Sequence, residues 1–524
     1  MSLNTDMESS LIHELIEGAV KKYQNKTAFV SNDRRLSFQE MDTLSKRLAG
    51  HLLTLGLRRG DVVAVQLPNS LEYVIAHLAI SRVGLVFNPL SPSYRKKELG
   101  YMLSHCETKA FITADSYKGF NHEKLANELK TELDDLKHVI ISGKPEEEES
   151  ISFDYLVNTE SQDIESSSPV KTDPALIMFT SGTESNPKAV LHTYESFVPA
   201  HLINGKENLI SEKDNILSLT PLCHMFSIPL IITGMRYGAT QYVLADYQVN
   251  NVMDLIEKEG ITYLTAAPAH LIDMVHFIRT NQVKNLKLRL IQTGGSKIPA
   301  QLVKDLRKLT GARIVSQWGM TEICAGTFTR PGDEENLAWE TVGRPTPVGD
   351  VIILDEFHSP LPNGEIGEVA FWGECLFKEY YKNELATEQA FTKEGYFLTG
   401  DQGWLDGGGY LHFVGRKKDT INRGGLKFHT SEIEEALVMH PKINQAAVVS
   451  IPDERLGERA CAFVSLREEN ASMDLKEIKE YLIDQGFAVY KLPEYLQVER
   501  ELPTTPAGKI QKGPLRKEAV SLKR

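Results

Sequence analysis

Helical and strand-like patterns alternate along the first 135 residues, and that alternation restricts the chain to an α/β architecture. Ser37, with Glu40 three residues on, forms a capping box, and Phe38, Met41, Leu44, Leu48, Leu52 and Leu55 then recur at three- and four-residue steps until Gly56. A helix is predicted there. Asp61–Leu67 (DVVAVQL) predicts a short buried strand, Leu71–Val83 a second helix, and Lys109–Thr113 (KAFIT) another strand. With 524 residues, 41% of them hydrophobic, the chain can build roughly two to four folded units.

Charge and cysteine usage exclude several function classes. Lys plus Arg number 58 against 71 Asp plus Glu, a net charge of -13, so no positive excess exists to hold nucleic acid or an anionic membrane. The five cysteines, Cys106, Cys223, Cys324, Cys375 and Cys461, are widely spaced without a CxxC, which predicts neither a disulfide framework nor a zinc site. A reducing, cytoplasmic setting is expected. The N-terminus lacks a signal-peptide pattern, and apolar stretches such as Met225–Met235 fall short of the roughly 20 residues that span a bilayer.

Pro145–Ser150 and Glu165–Pro169 are polar, breaker-rich surface connections. Just beyond them Ala175–Phe179 (ALIMF) reads as a buried strand opening into TSGTESNPK, Thr180–Lys188, where hydroxyls, a glycine and an ammonium could hold a polyphosphate. It is not a Walker loop, and a solvated Ser/Thr turn is the alternative. Strand-like runs return at Ile216–Leu219, Ile261–Ala266 and Leu290–Thr293, and α/β proteins place functional loops at such strand ends. QWGMTE, Gln317–Glu322, sets a carboxylate beside a hydroxyl, a donor set that suits Mg2+ shared with phosphates; an exposed Glu is the bland alternative. LTGD, Leu398–Asp401, ends a strand on an Asp able to accept both hydroxyls of a ribose, and GRKKD (Gly415–Asp419) follows. After Thr341 short strands with Gly turns predict antiparallel structure. Beyond Arg416, a helix at Glu432–Met439, strands at Ala446–Ser450 and Ala460–Ser465, and a helix at Leu475–Gln485 predict a separate α+β domain, which carries PTTPAGKI, Pro503–Ile510.

Taken in order and spacing, these motifs resemble the adenylate-forming superfamily of acyl-CoA synthetases, peptide-synthetase adenylation domains and firefly-type luciferases, over nearly the whole chain. The resemblance implies a large N-terminal domain, residues 1–415, of two α/β sheets and a small β-barrel, and a smaller mobile α+β domain, residues 416–524. It implies that Thr180, Ser181, Gly182, Thr183 and Lys188 surround the β- and γ-phosphates of ATP. The loop departs from the family pattern at Glu184, Ser185 and Ala189, and Glu184 is expected to face solvent or pair with a lysine. Thr293, Gly294, Gly295 and Ser296 resemble the adenine-side strip, with Trp318 stacking on the base. Thr321 and Glu322 match the α-phosphate and Mg2+ positions, Asp401 and Arg416 the ribose contacts, and Lys509 the catalytic lysine. His224 matches the position beside the bound carboxylate, Lys418 the hinge, and Gly424, Gly425, Leu426 and Lys427 the loop that meets coenzyme A.

The implied activity is ATP-dependent activation of a hydrophobic carboxylic acid as acyl-adenylate, then transfer to coenzyme A. Transfer to a carrier protein in trans shares every adenylation residue, and a luciferase-like oxygenation stays open. A non-catalytic acyl or nucleotide binder is disfavoured, because binding alone has no need of Lys509. Where acetate-type members place a second Trp, this chain has Gly319, which implies a deeper pocket. Met225, Phe226, Ala267, Gly319 and Ile323 are expected to line an apolar cavity with no ionisable residue, which disfavours amino acids. The 2,3-dihydroxybenzoate ligases resemble this chain in NRGGLK and FAVYKLPEYL, but carry an Asn at the position of Met225.

Overall fold

The computed structural model describes residues 11–164, 167–180, 187–283, 286–295, 298–468, 470–505 and 509–521. The capping box at Ser37 starts the helix Phe38–Thr54: Ser37 Oγ accepts the Glu40 N–H at 3.2 Å, and the Ser37 N–H donates to Glu40 Oε2 at 2.7 Å. That helix packs on Leu71–Arg82 through a buried ion pair between Asp42 and Arg82. Leu71–Arg82 in turn lies against an eight-stranded sheet whose centre is parallel, in the order Pro174–Thr180, Val86–Pro89, Val62–Gln66, Ala110–Ala114, His138–Ser142. Every residue of Val62–Gln66 is buried, as a parallel strand covered on both faces requires.

The strands that flank TSGTESNPK pair with each other in this sheet. Pro174–Thr180 runs antiparallel to Lys188–Thr193, with Thr180 opposite Lys188, so the two ends of the segment are cross-strand neighbours. A nine-stranded sheet stands beside it, with Asn215–Ser218, Tyr263–Ala266, Leu290–Gly294 and Arg313–Trp318 as consecutive parallel strands. Gly294 and Trp318 therefore emerge side by side at one end of that sheet. Where the resemblance implies a small barrel, the chain forms a four-stranded antiparallel sheet, Gly349–Leu354, Gly367–Gly373, Phe397–Leu405 and Leu411–Arg416. The Val342 N–H donates to the Leu411 carbonyl and the Leu411 N–H to the Gly343 carbonyl, tying this sheet to the preceding segment.

That sheet ends at Arg416, a 3-10 turn covers Lys417–Asp419, and the next sheet starts at Thr420. The C-terminal sheet contains Leu426–His429, Thr420–Arg423, Gly457–Leu466 and Ile443–Asp453, with Tyr495–Glu499 added in parallel to Gly457–Leu466. It has its own apolar core, which includes Ile421, Phe428, Ile433, Leu437, Val448 and Ile478. The turn is fastened to the final helix, Lys512–Ser521: Asp419 pairs with Arg516 and, at 3.6 Å, with Lys512. Among the described residues no helix is long and apolar enough to cross a membrane.

Candidate active site

Asp401 sits on the strand Phe397–Leu405 directly opposite Arg416, and is 4% exposed. Its Oδ2 accepts the indole N–H of Trp318 at 2.8 Å, and Arg416 Nε lies 3.5 Å from Oδ1. Burial pushes the Asp401 carboxyl up, opposed by the Arg416 charge, the Trp318 hydrogen bond and the Lys509 charge. Two polar atoms here lack a hydrogen-bond partner although buried, Asp401 Oδ1 and Thr293 Oγ1. Beside them the backbone is stripped of side chains. A Cβ on Gly294 would stand 2.4 Å from the Gln317 carbonyl oxygen, and Gly295 has φ +85°.

Glu322 lies in the 3-10 turn Thr321–Ile323 and is buried. Tyr380 donates its hydroxyl to Glu322 Oε1 at 3.0 Å, and the Phe377 N–H donates to the Glu322 carbonyl at 2.8 Å. The same Tyr380 ring lies under the Lys188 ammonium, 4.4 Å from its centroid. One aromatic side chain thus joins the end of the hydroxyl-rich hairpin to the buried carboxylate. Burial raises the Glu322 carboxyl, and the Tyr380 bond and the Lys188 and Arg416 charges act against it. The turn is also held from behind: His192 Nε2 donates to the Thr321 carbonyl at 2.7 Å, and burial holds that imidazole neutral, with its pKa down to about 4.

Lys509 reaches this site from the C-terminal domain. Its backbone is fixed to Thr505, whose Oγ1 accepts the Lys509 N–H at 3.2 Å. Its Cε is so placed that a Cβ on Gly295 would meet it at 3.5 Å. Enclosure and the Arg416 charge lower the ammonium, while Asp401 and Glu322 favour its charged form. His224 feels that charge as well: burial first and Lys509 second bring its pKa down to about 3. The Phe226 N–H donates to His224 Nδ1 at 3.2 Å, so the neutral ring carries its proton on Nε2, ready to donate.

A long-range assembly thus brings Lys188, His224, Glu322, Asp401, Arg416 and Lys509 together around one strip of glycine backbone. The AMP-binding enzyme family model matches residues 16–381, and the model of the AMP-binding enzyme C-terminal domain matches residues 432–509. The chain belongs to the AMP-binding enzyme family. This AMP-binding enzyme is 30% identical over 511 residues to triostin synthetase I of Streptomyces triostinicus, covering 97% of this chain and 94% of that protein. It is 29% identical to the medium-chain fatty-acid–CoA ligase of Escherichia coli, over 95% of this chain and 88% of the relative. Among solved structures, an anthranilate CoA ligase in complex with anthranoyl-AMP superimposes with a TM-score of 0.87 at 24% identity, covering 98% of each chain. Adenylate-forming ligases therefore share both its sequence and its fold.

The packing at Gly319 bears on the expected depth of the pocket in this AMP-binding enzyme. The structure fills the space beside Gly319 instead of leaving it open: a Cβ there would stand 2.2 Å from the Cys324 carbonyl oxygen, a backbone atom that cannot swing away. Gly319→Trp is therefore expected to destabilise the Thr321–Cys324 turn by about 1–3 kcal/mol or more and to depress activity toward all acids alike. Thermal melting alongside an acid panel checks this; a folded variant that prefers short acids would contradict it. Ile323 is fully buried and Met225 is 5% exposed, both within the main apolar core, while Phe226 and Ala267 are half-buried. Next to Gly294 and Trp318 lies an uncharged amide network that the apolar reading did not foresee. Gln292 donates to Gln317 Oε1, Tyr263 donates to Gln292, and Asn208 Nδ2 donates to Tyr263 at 3.3 Å and to Asn204 Oδ1 at 2.8 Å.

Tyr380 and His192 escaped the sequence reading because neither lies in a motif that announces phosphate or metal chemistry; only their contacts with Glu322 and Thr321 expose them. Ser181, Gly182, Thr183, Glu184 and Ser296 lie outside the described residues. Gly424 and Gly425, at φ +62° and +90°, turn an exposed hairpin between Arg423 and Leu426, with the Gly425 N–H donating to Asn422 and the Gly424 N–H to Leu456. Lys427 is exposed on it, and the Lys418 carbonyl accepts from Arg516 at 3.3 Å.

Proposed function

We propose that this enzyme activates a hydrophobic carboxylic acid with ATP as the acyl-adenylate and passes the acyl group to coenzyme A. The convergence of Lys509 on Asp401, Glu322 and His224 carries the reading, because it puts a cation where a bound nucleotide would develop negative charge. Asp401 Oδ1 and Thr293 Oγ1, buried without partners, suit a nucleoside that supplies the missing hydrogen bonds. Thr180 and Lys188 stand at the ends of the hairpin assigned to the β- and γ-phosphates. Among the described residues no cluster of three or more metal-binding side chains exists, and Mg2+ does not need one. Glu322 would hold it as a single carboxylate, with phosphate oxygens completing the shell, and the ion would neutralise phosphate charge there.

In the first step a carboxylate oxygen of the acid, oriented by the Nε2–H of His224, attacks the α-phosphorus. The bond to the β-phosphate oxygen breaks and pyrophosphate leaves. In the second, a thiolate attacks the acyl carbon and AMP departs, the thiol proton passing to solvent. Lys509 would block the thiol, so the C-terminal domain turns about Lys418 and presents Gly424–Lys427 instead. The five cysteines, all free thiols, fit a reducing cytoplasmic setting.

A second reading, loading of a carrier protein, is favoured by the surface of that hairpin. Leu426 is 53% and Val489 75% exposed, and the Arg423 guanidinium donates to the Tyr490 carbonyl at 2.9 Å, which ties the segments that carry them. Pyrophosphate exchange with aliphatic, cyclic and aromatic acids, followed by offering the adenylate either coenzyme A or a phosphopantetheinyl carrier, tests both readings. Exchange with at least one acid and faster transfer to coenzyme A is expected. Absence of exchange with every class would overturn the adenylation.

A further inference from the structure

The loop that carries His224 follows the strand Asn215–Ser218 of the nine-stranded sheet, yet it is gripped from the other sheet. Leu222 gives both of its peptide groups to residues 69–73, where the strand Val62–Gln66 passes into the helix Leu71–Arg82. Its N–H donates to Asn69 Oδ1 at 2.7 Å, and its carbonyl accepts the hydroxyl of the fully buried Tyr73 at 3.0 Å. Asn69 Nδ2 also faces the Thr220 carbonyl, donating at 3.4 Å. The amide can stand only this way round, because an N–H needs its oxygen and a carbonyl needs its NH2. Asn69 thus spans Thr220 and Leu222 as the edge of a neighbouring strand would. From Leu222 the fixation runs straight to the imidazole. The His224 N–H donates to the Pro221 carbonyl at 3.1 Å, and the His224 carbonyl accepts the N–H groups of Ser227 and Ile228 at 2.9 and 3.1 Å. Ser227 Oγ, itself buried, donates to the Thr220 carbonyl at 3.1 Å and closes the loop.

We propose that Asn69 is a positioning residue for activation of the acid, which together with Tyr73 clamps Leu222 and thereby aims the Nε2–H of His224 at the carboxylate. This rests on the reading of His224 as the donor beside the acid. A hydrogen bond weakens steeply with misalignment, and a small displacement of the group that orients a nucleophile carries a large penalty in rate. The clamp comes from the same sheet as the strands that flank TSGTESNPK, so it also fixes the distance between His224 and the segment assigned to the phosphates.

The acid probe is whichever of octanoate, cyclohexanecarboxylate and benzoate supports the fastest pyrophosphate exchange. Asn69→Ala is expected to lower kcat/KM for that acid by about tenfold, while ATP affinity measured by calorimetry without acid stays within about twofold. In a His224→Ala background the same substitution is expected to cost nothing further, because Asn69 acts through that ring. An equal fall in ATP affinity, or the full penalty retained in the His224→Ala background, overturns the inference. Ser70→Ala loosens the same helix by removing its cap, Ser70 Oγ accepting the Tyr73 N–H at 3.1 Å, and is expected to lower the melting temperature with kcat/KM for the acid within about twofold. A loss as large as that of Asn69→Ala would reduce the clamp to general stability. Hydrogen exchange reads the clamp with no acid present: amides of residues 219–226 are expected to exchange at least about tenfold faster in Asn69→Ala, with those of Lys188–Thr193 unchanged. Unaltered exchange overturns the inference. Tyr73→Phe deletes a single hydroxyl and provides the same readings if Asn69→Ala does not fold. Should His224→Ala itself leave kcat/KM for the acid unaltered, the assignment of His224 falls; a loss there with none in Asn69→Ala overturns the clamp alone.

Discussion

Lys509→Ala is expected to slow acyl-adenylate formation by about 10² or more, while chemically prepared acyl-AMP is still converted to thioester at nearly the parental rate. The side chain comes from the C-terminal domain, and its charge acts on Asp401, Glu322 and His224, which all precede the turn Lys417–Asp419. Its worth is that of one preorganised cation in a partly water-excluded site, where a charge opposes developing phosphate charge more strongly than in bulk water. Thioester formation uses other groups and should be spared. Separate measurement of pyrophosphate exchange and of thioester formation from acyl-AMP checks both halves; equal loss in the two would remove Lys509 from the adenylation step.

Stability in acid is the second large effect. His77, His192 and His201 are 1%, 0% and 3% exposed, and burial brings their pKa values down to about 3, 4 and 3. In the unfolded chain each would titrate near 6.5. Below that pH the unfolded state binds three protons that the native state refuses, so stability is intact above about pH 6.5 and falls as pH falls. For these three groups the slope approaches about 4 kcal/mol per pH unit, and His224 and His270, lowered by burial to about 3 and about 4, add to it, against a typical total of about 5–15 kcal/mol. Glu322 and Asp401, whose carboxyls are raised by burial, act in the opposite sense and moderate the fall. A difference measurement isolates the histidine effect. The His77 ring lies tilted against Phe87 at 4.5 Å between centroids and its Nδ1 is unpaired, so His77→Leu is expected to reduce the loss of urea-unfolding free energy between pH 6.5 and 5 by on the order of 1 kcal/mol per pH unit. An unchanged slope in the folded variant would show that His77 protonates without unfolding.

Local order was legible wherever local physics decides it. The capping box at Ser37, the fully buried strand Val62–Gln66 and the antiparallel segments after Thr341 follow from side-chain periodicity and backbone preferences over a few residues. The motif positions Lys188, Glu322, Asp401 and Lys509 were equally visible, because phosphate and metal chemistry tolerates few residue types. Pairing Thr180 with Lys188 across a hairpin was not, since nothing within the loop itself dictates the antiparallel return.

The α/β class, the C-terminal domain and the residue types available for chemistry are consequences of pattern and composition along the chain. How those residues are used depends on packing between distant elements. Gly319 is required by the Cys324 carbonyl pressing on it, Ile323 belongs to the core, Tyr380 holds Glu322, and Trp318 donates to Asp401. Each of these depends on atoms brought within bonding distance by packing between elements, and such proximity has no periodicity for a sequence to display.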